Sequence, residues 1–464
     1  MSNHEKHNNQ TQHDGNAAIK VAVVGHTNTG KTSLIRTLLR SNSFGTIANA
    51  ASTTRHVEQA AILVDGQQII SLYDTPGLED ASALLEQLQE QQQTIQQFLV
   101  NADQHPEFEQ ETKVLNQGIN SDALLYVIDV RSQLLDKYRD EISVLSKLGK
   151  PIIPVFNFVT GNAQQLHGWR EMMISHNLHA ALEFDTVAFD FEAEKRLYQK
   201  LQGVLESRYQ QLQTLIDARS KAWQQLCEAA VRRVLELLAK TATYRIEVSN
   251  ENKQPNAKQQ ASEQLQKTIR QYEQHCLTDL LSLFEFTPSD VDIMQLAVNN
   301  GEWELDLFSA NTLKMFGLSA GSNALKGAAA GAGIDLMVGG LTLGTGALIG
   351  AALGAGYSTL RRYGKDISVA LQKNDWLCAD DTTVELIYLR SQDLLRHLTH
   401  RGHATQTALT VQENKQHTLP EQWPQLLRGL RSGQADQQKT NKLFTESKRK
   451  LHDILINTIN ATES

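Results

Sequence analysis

The sequence predicts an α/β fold for residues 17–205, a parallel-rich sheet with helices on both faces, and a mainly α region over 206–464. Three observations predict it. Short β-branched runs alternate with helix-period stretches through the first half, the pattern of a sheet wound with helices. One such run, Ile19-Lys20-Val21-Ala22-Val23-Val24, passes into a helix through Gly25-His26-Thr27-Asn28-Thr29-Gly30-Lys31-Thr32. From Glu192 onward the apolar residues fall at helical spacing, beginning with Leu197, Leu201, Val204, Leu212 and Leu215.

Composition sets the outer bounds. With 464 residues the chain has room for two or three domains. The net charge of −8 is spread evenly, which argues against a broad nucleic-acid surface and leaves a local basic patch open. Cys227, Cys276 and Cys378 are far apart and odd in number. They suit a reducing compartment, not a disulfide framework or zinc knuckle. No apolar leader opens the chain, so a cytoplasmic protein is the expectation. Residues 1–16 are polar and expected as a disordered tail, with His4, His7 and His13 in solvent.

The turn Gly25–Thr32 has the spacing Gly, four residues, Gly-Lys-Thr between a strand and a helix, the pattern of a phosphate-binding loop. Gly25 and Gly30 let the backbone close around a phosphate. Backbone N–H groups from His26 through Ser33, at the start of the helix, then face the anion. Lys31 can reach the β- and γ-phosphates, and the Thr32 hydroxyl can bind Mg²⁺, a hard cation that takes oxygen ligands. The first domain is thus expected to be a P-loop nucleotide-binding fold.

After the loop helix, Ser41–Ser52 is small and polar, followed by Thr53-Thr54-Arg55-His56. Val57–Val64 and Gln68–Tyr73 read as strands joined by Asp65-Gly66, a hairpin signal. The second strand ends at Asp74-Thr75-Pro76-Gly77. Asp74 at a strand's edge can hold Mg²⁺ through water, and Gly77 can offer its N–H to a γ-phosphate.

These pieces, Gly25–Thr32, Thr53-Thr54-Arg55 and Asp74–Gly77, resemble the translation-factor-like GTPases of the Era and TrmE group, here carrying a C-terminal helical domain of unknown function. The resemblance implies Mg²⁺-dependent hydrolysis of GTP as a molecular switch. Thr54 would be the threonine that binds Mg²⁺ beside the triphosphate, and Lys31, Thr54 and Gly77 would attend the γ-phosphate. Asn28 falls where several relatives use an asparagine to help bind K⁺, and it reads equally as a turn residue. Leu78 stands where Ras-type enzymes place a water-orienting glutamine. Slow turnover follows, completed by a monovalent cation or a protein effector. Arg55 reads as a charge stabiliser or as a surface residue.

Glu79–Gln117, rich in Gln and Glu, reads as an insertion with Leu84, Leu85, Leu88, Ile95 and Phe98 near helical spacing. A solvated helical excursion is the expected form, a partner or dimer surface the alternative. Ala123–Val130 and Pro151–Asn157 read as buried strands around the helix Ser132–Leu148. The family carries Asn-Lys-x-Asp at the end of the second strand. Here Asn157-Phe158-Val159-Thr160 keeps the asparagine, expected to bind nucleotide, and loses the guanine-reading carboxylate. Asp185 and Asp190 are the nearby acids, and Thr186–Asp190 the best candidate for the last strand. A base-tolerant NTPase therefore stays open.

The remainder reads as helices around a polar break at Ser249–Gln260, with Cys276 on an apolar face. Residues 327–358 hold ten glycines among alanines and aliphatics, and Leu336–Ser358 carries no charge. Three forms compete there: a transmembrane helix, a conditional membrane-inserting hairpin, and a close-packed hairpin of a soluble domain turning at Gly339-Gly340. A nucleotide-gated, membrane- or partner-binding protein at the inner membrane is the corresponding alternative function. Thr382–Glu385 reads as a capping box, His397, His400 and His403 as a solvated helix end, and Ser447–Ile459 as a last helix.

Overall fold

The computed structural model describes residues 17–40, 57–186, 190–249, 257–284, 298–299, 302–303, 305–318, 334–338, 341–342, 374–400, 419–434 and 440–460. The chain divides into two compact units, Met1–Gln224 with His400–Ala404, and Gln225–Thr399 with Thr405–Ser464.

The first unit runs β1 (Ile19–Val24), α1 (Lys31–Leu39), β2 (Glu58–Val64), β3 (Gln67–Asp74), α2 (Ala81–Glu90), α3 (Ile95–Val100), α4 (Glu109–Ile119), β4 (Ala123–Asp129), α5 (Asp136–Ser146), β5 (Ile152–Asn157), α6 (Ala163–Ser175), β6 (Leu182–Glu183) and α7 (Phe191–Val204). The strands form one sheet in the order β2-β3-β1-β4-β5-β6. All neighbours pair parallel except β2, which returns on β3 as the predicted hairpin. Side-chain alternation divides the core. Ala22, Val24, Leu124, Tyr126, Ile128 and Phe156 face one layer, while Val21, Val23, Leu125, Val127, Ile153 and Val155 face the other. Strand order reverses at β1, so the crevice beyond its carboxyl end is where such a sheet binds ligands.

Two expectations for this unit change. Among the described residues the sheet's last strand is Leu182–Glu183; Thr186, where the expected strand would open, is a buried turn residue, and 187–189 lie outside the described residues. The stretch 79–117 is helical, but it is no solvated excursion. Leu84, Leu85, Leu88, Ile95, Phe98, Val114 and Leu115 are buried in the core on the Ala22 face. Apart from buried Glu111, the Gln and Glu residues that made it look exposed occupy the other sides of these helices.

The second unit is largely helical. The helix α8 (Tyr209–Thr243) begins in the first unit and ends in this one. It is followed by β7 (Arg245–Ser249), α9 (Ala257–Leu283), β8 (Val298–Asn299), β9 (Glu302–Trp303), α10 (Ala310–Met315), β10 (Ile334–Val338), β11 (Leu341–Thr342), β12 (Asn374–Ala379), α11 (Asp381–His400), α12 (Trp423–Arg431) and α13 (Thr440–Asn460). An antiparallel sheet in the order β11-β10-β12-β7 was not expected. Its strands are short and lie between long helices, so period-2 alternation has little length in which to show. Within the glycine-rich segment, 334–338 and 341–342 are strand, and Gly339-Gly340 lie outside the described residues. Residues 327–333 and 343–358 lie outside the described residues. Among the described residues, no helix is long and apolar enough to cross a membrane. The cap of α11 is Asp380, whose carboxylate accepts from Thr383 N at 2.7 Å, in place of the capping box read at Thr382–Glu385. His397 Nδ1 lies 2.7 Å from its own helix's Asp393 carbonyl; His403 lies outside the described residues. Among the described residues no group of three acidic, His or Cys side chains could hold a metal.

A buried ion pair sits inside this unit. Arg390 Nε lies 3.3 Å from Glu273 Oε1, its guanidinium stacks 3.9 Å over the Trp303 ring, and it donates to the Leu305 carbonyl. Burial pushes the Glu273 carboxyl up to about 7, with Arg390 opposing. An acid whose folded pKa is raised adds stability at low pH that is lost as pH rises through the folded value. Glu273's share is therefore present below about 4.5 and lost by about 7. Glu273→Gln is expected to flatten the dependence of stability on pH across that window, read as the wild-type-minus-variant difference in urea midpoint.

Candidate functional site

The carboxyl ends of β1, β3 and β5 converge on the loop Gly25–Thr32. The chain turns there through left-handed backbone at Asn28 (φ 62°) and Gly30 (φ 95°). Glycine is required at Gly30 for a second reason: a Cβ would overlap Asn157 Nδ2. The Lys31 ammonium is buried and donates to the carbonyls of Gly25 (3.1 Å) and His26 (2.8 Å), across the concave side of the loop. Burial pushes it down to about 8, with Asp74, Glu141 and Glu79 opposing. Thr32 Oγ1 donates to Asp74 Oδ2 at 2.5 Å, and the Thr75 hydroxyl donates to the Val23 carbonyl at 2.8 Å. The strand carrying Asp74 is thereby fastened to the strand carrying the loop. Thr32 and Asp74 present hydroxyl and carboxylate oxygens side by side, a donor set that fits Mg²⁺. Thr54 lies outside the described residues. Ser33 is half-buried in the first turn of α1, and Asn28 is exposed.

Gly77 packs directly on Thr27: a Cβ would overlap the Thr27 hydroxyl and lie 2.8 Å from its backbone N. The next residue, Leu78, is fully buried. Its N–H donates to the Gly25 carbonyl (3.3 Å), and its carbonyl lies 2.8 Å from His26 Nδ1. A side chain so held cannot orient water above the loop.

Several residues that the sequence analysis passed over complete the framework. His26 Nδ1 also lies 2.8 Å from Glu141 Oε1, and Nε2 lies 2.9 Å from Lys137 Nζ. Two acceptors at Nδ1 and an ammonium at Nε2 assign the neutral Nδ1–H tautomer. Glu141, nearly inaccessible, accepts in addition from the Tyr126 hydroxyl. On α4, buried Glu111 accepts from the backbone N–H of both Glu79 and Asp80 at 3.0 Å, gripping the segment just past Gly77. The signal for both acids was present: each falls on the apolar stripe of its helix, one turn from Leu115 or Leu145.

Asn157 joins the loop to the far side of the sheet. Its Nδ2 donates to the Thr29 carbonyl at 2.9 Å, and its Oδ1 accepts from Phe158 N, Thr186 N and Thr186 Oγ1 at 2.9, 2.9 and 3.0 Å. Beyond it, Phe158 adopts φ 59° and its ring lies 3.7 Å beneath the Arg131 guanidinium, which Asp129 holds through two hydrogen bonds. Thr160 Oγ1 donates to Asp185 Oδ2 at 3.3 Å.

A strand-to-helix phosphate loop, an aspartate beside its threonine and an asparagine bridging to the turn after β6 define a P-loop nucleotide-binding domain. Residues 20–158 match the family described as 50S ribosome-binding GTPase, so this is a GTPase-family domain, as the resemblance to the Era and TrmE group implied. Residues 170–457 match a domain of unknown function, DUF3482, and the chain belongs to that family. Among curated relatives, GTPase Der of Campylobacter concisus is 30% identical over 150 residues, covering 32% of this chain and 27% of that protein. The tRNA modification GTPase MnmE of Mycoplasmoides gallisepticum is 37% identical over 70 residues, 15% of each chain. This chain therefore spans less than a third of either relative's length. Of solved structures, Era in complex with MgGDPNP and nucleotides of 16S ribosomal RNA aligns at 19% identity over 36% of this chain and 51% of that chain, with a TM-score of 0.28.

Replacing Asn157 by Ala leaves the Thr29 carbonyl and the Thr186 N–H without this partner in a buried place. Urea unfolding of the variant is expected to show a loss of about 2 kcal/mol; a loss near zero would mean that the bridge is incidental.

Proposed function

We propose that the chain binds GTP with Mg²⁺ and hydrolyses it slowly, as a switch read by the region behind the nucleotide domain. The observation that carries this reading is the meeting of Thr32 with Asp74 beside the inward-turned Lys31, three groups suited to one Mg²⁺–triphosphate. The domains are taken as 17–205 for nucleotide binding and 206–464 for the helical region.

The residues act as follows. The backbone of Gly25–Ser33 cradles the phosphates, and Lys31 exchanges its loop carbonyls for β- and γ-phosphate oxygens. Thr32 and Asp74, with Thr54, hold Mg²⁺, which when bound neutralises charge on the phosphates. Gly77, pressed on Thr27, leaves no room for a side chain between its own backbone and the loop, so its N–H can follow the γ-phosphate. Glu111 and His26 tie that movement to α4 and α5. Asn28 serves as the K⁺ ligand. Because Leu78 is buried, turnover by the chain alone should be slow, on the order of 10⁻³ s⁻¹. K⁺ or a protein effector would raise it.

Two measurements test this. Lys31→Ala is expected to abolish binding of labelled GTP while leaving the unfolding transition in place; unchanged affinity would remove the assigned role. Single-turnover hydrolysis is expected to quicken in K⁺ relative to Na⁺, and fast turnover in Na⁺ alone would contradict the reading.

A further inference from the structure

We propose that Asp185 supplies the base-reading carboxylate of this nucleotide site, with Thr160 orienting it, so that the chain selects guanine through a residue on a different loop from the one its sequence pattern suggests. The inference rests on the triphosphate reading above and adds the base to it.

The placement comes from Asn157. Its amide touches the phosphate loop at Thr29 and the turn after β6 at Thr186. Phe158 follows Asn157 at the end of β5 and Asp185 precedes Thr186 just after β6, two strands that lie on the other side of β1 from the strand carrying Asp74. A nucleotide with its phosphates on Gly25–Thr32 and its base on this side meets two features. One is flat: the Phe158 ring, held from one face by Arg131 at 3.7 Å. The other is charged: Asp185, half-buried, with Oδ2 accepting from Thr160 Oγ1 at 3.3 Å and its charge also felt by Arg131.

The chemistry of a carboxylate then chooses the base. A carboxylate's two oxygens carry about four acceptor positions, so it can meet a protein donor such as the Thr160 hydroxyl together with two adjacent donors of a base. Guanine presents two adjacent donors, the ring N1–H and the exocyclic amine. Adenine presents an acceptor at N1, which a carboxylate repels. Threonine at position 160 cannot itself take both guanine donors, but its hydroxyl can fix the acid that does. The β5 and β6 ends are thus used together: one gives the ring and the hydroxyl, the other the carboxylate.

The test is a competition titration of labelled GTP on the full chain with Mg²⁺, using unlabelled GTP, XTP and ATP. Wild-type protein is expected to prefer GTP over both by roughly 100-fold. Xanthine keeps N1–H and replaces the amine by a carbonyl, so its edge fits one acceptor and one donor, the pair an asparagine offers. Asp185→Asn is therefore expected to weaken GTP by about 10- to 100-fold and to bring XTP level with it or ahead. Thr160→Val, which keeps the carboxylate, is expected to lose only a few-fold in GTP affinity. The readout is a ratio within one preparation, so a partly misfolded sample lowers both nucleotides alike. A GTP-to-XTP ratio unchanged in Asp185→Asn would overturn the proposal. Wild-type protein that binds GTP and ATP equally would overturn it too, while leaving the triphosphate reading intact. Wild-type protein that binds none of the three would overturn both.

Discussion

One amide side chain sets the geometry on which the first unit depends. Asn157 donates to the phosphate loop and accepts three hydrogen bonds from its own successor and from Thr186. With no water at hand, a buried amide is stable only when its donors and acceptors are met by fixed partners. The loop at the end of β1 therefore cannot move without the ends of β5 and β6. A loop built this way is stiff at Thr29, where the amide grips it.

Buried carboxylates do the corresponding work elsewhere in the unit. Glu111 grips two backbone N–H groups after Gly77, and Glu141 joins Tyr126 to His26. Glu194, fully buried, lies within 3.3 Å of Arg40 and 3.5 Å of Arg219 and accepts from the Tyr198 hydroxyl. That last cluster secures the end of α1, the helix that starts at the phosphate loop. Each acid sits on a helix and meets partners from other elements, so the helices are registered on the sheet by direction as well as by apolar contact. Breaking such a buried arrangement by removing one member costs more than the arrangement itself contributes, since the survivor is left unpaired.

The extent to which this was legible varies with the kind of physics involved. The strand–loop–helix at Ile19–Leu39 and the hairpin at Asp65-Gly66 could be read because local chemistry fixes them: glycine conformations, a hairpin dipeptide, one spacing. The burial of α2 to α4 was misread because composition speaks for the average residue, while packing depends on one face. The strand at Leu182–Glu183 is two residues long and formed by pairing with β5, so no local signal announces it. The second sheet failed for the same reason, and the Asp380 cap because Thr382 offered a familiar pattern two residues later. At the site, the loop, Asp74 and Asn157 were visible as motifs. The partners of His26 and the meeting of Thr160 with Asp185 were not, because they join residues 25 to 115 positions apart and exist only once the sheet is assembled.

The two inherited stretches of this chain do not coincide with its two folded bodies. The GTPase match ends at residue 158, and the DUF3482 match opens at 170, inside α6. The sheet's last strand, Asp185 and Thr186 thus come from the second stretch, although they complete the first unit. The sheet of the first unit is therefore complete only with strand β6, which lies in the second matched stretch. Cut between the two matched stretches, the chain would leave Asn157 on one piece and Thr186, the acceptor side's partner, on the other.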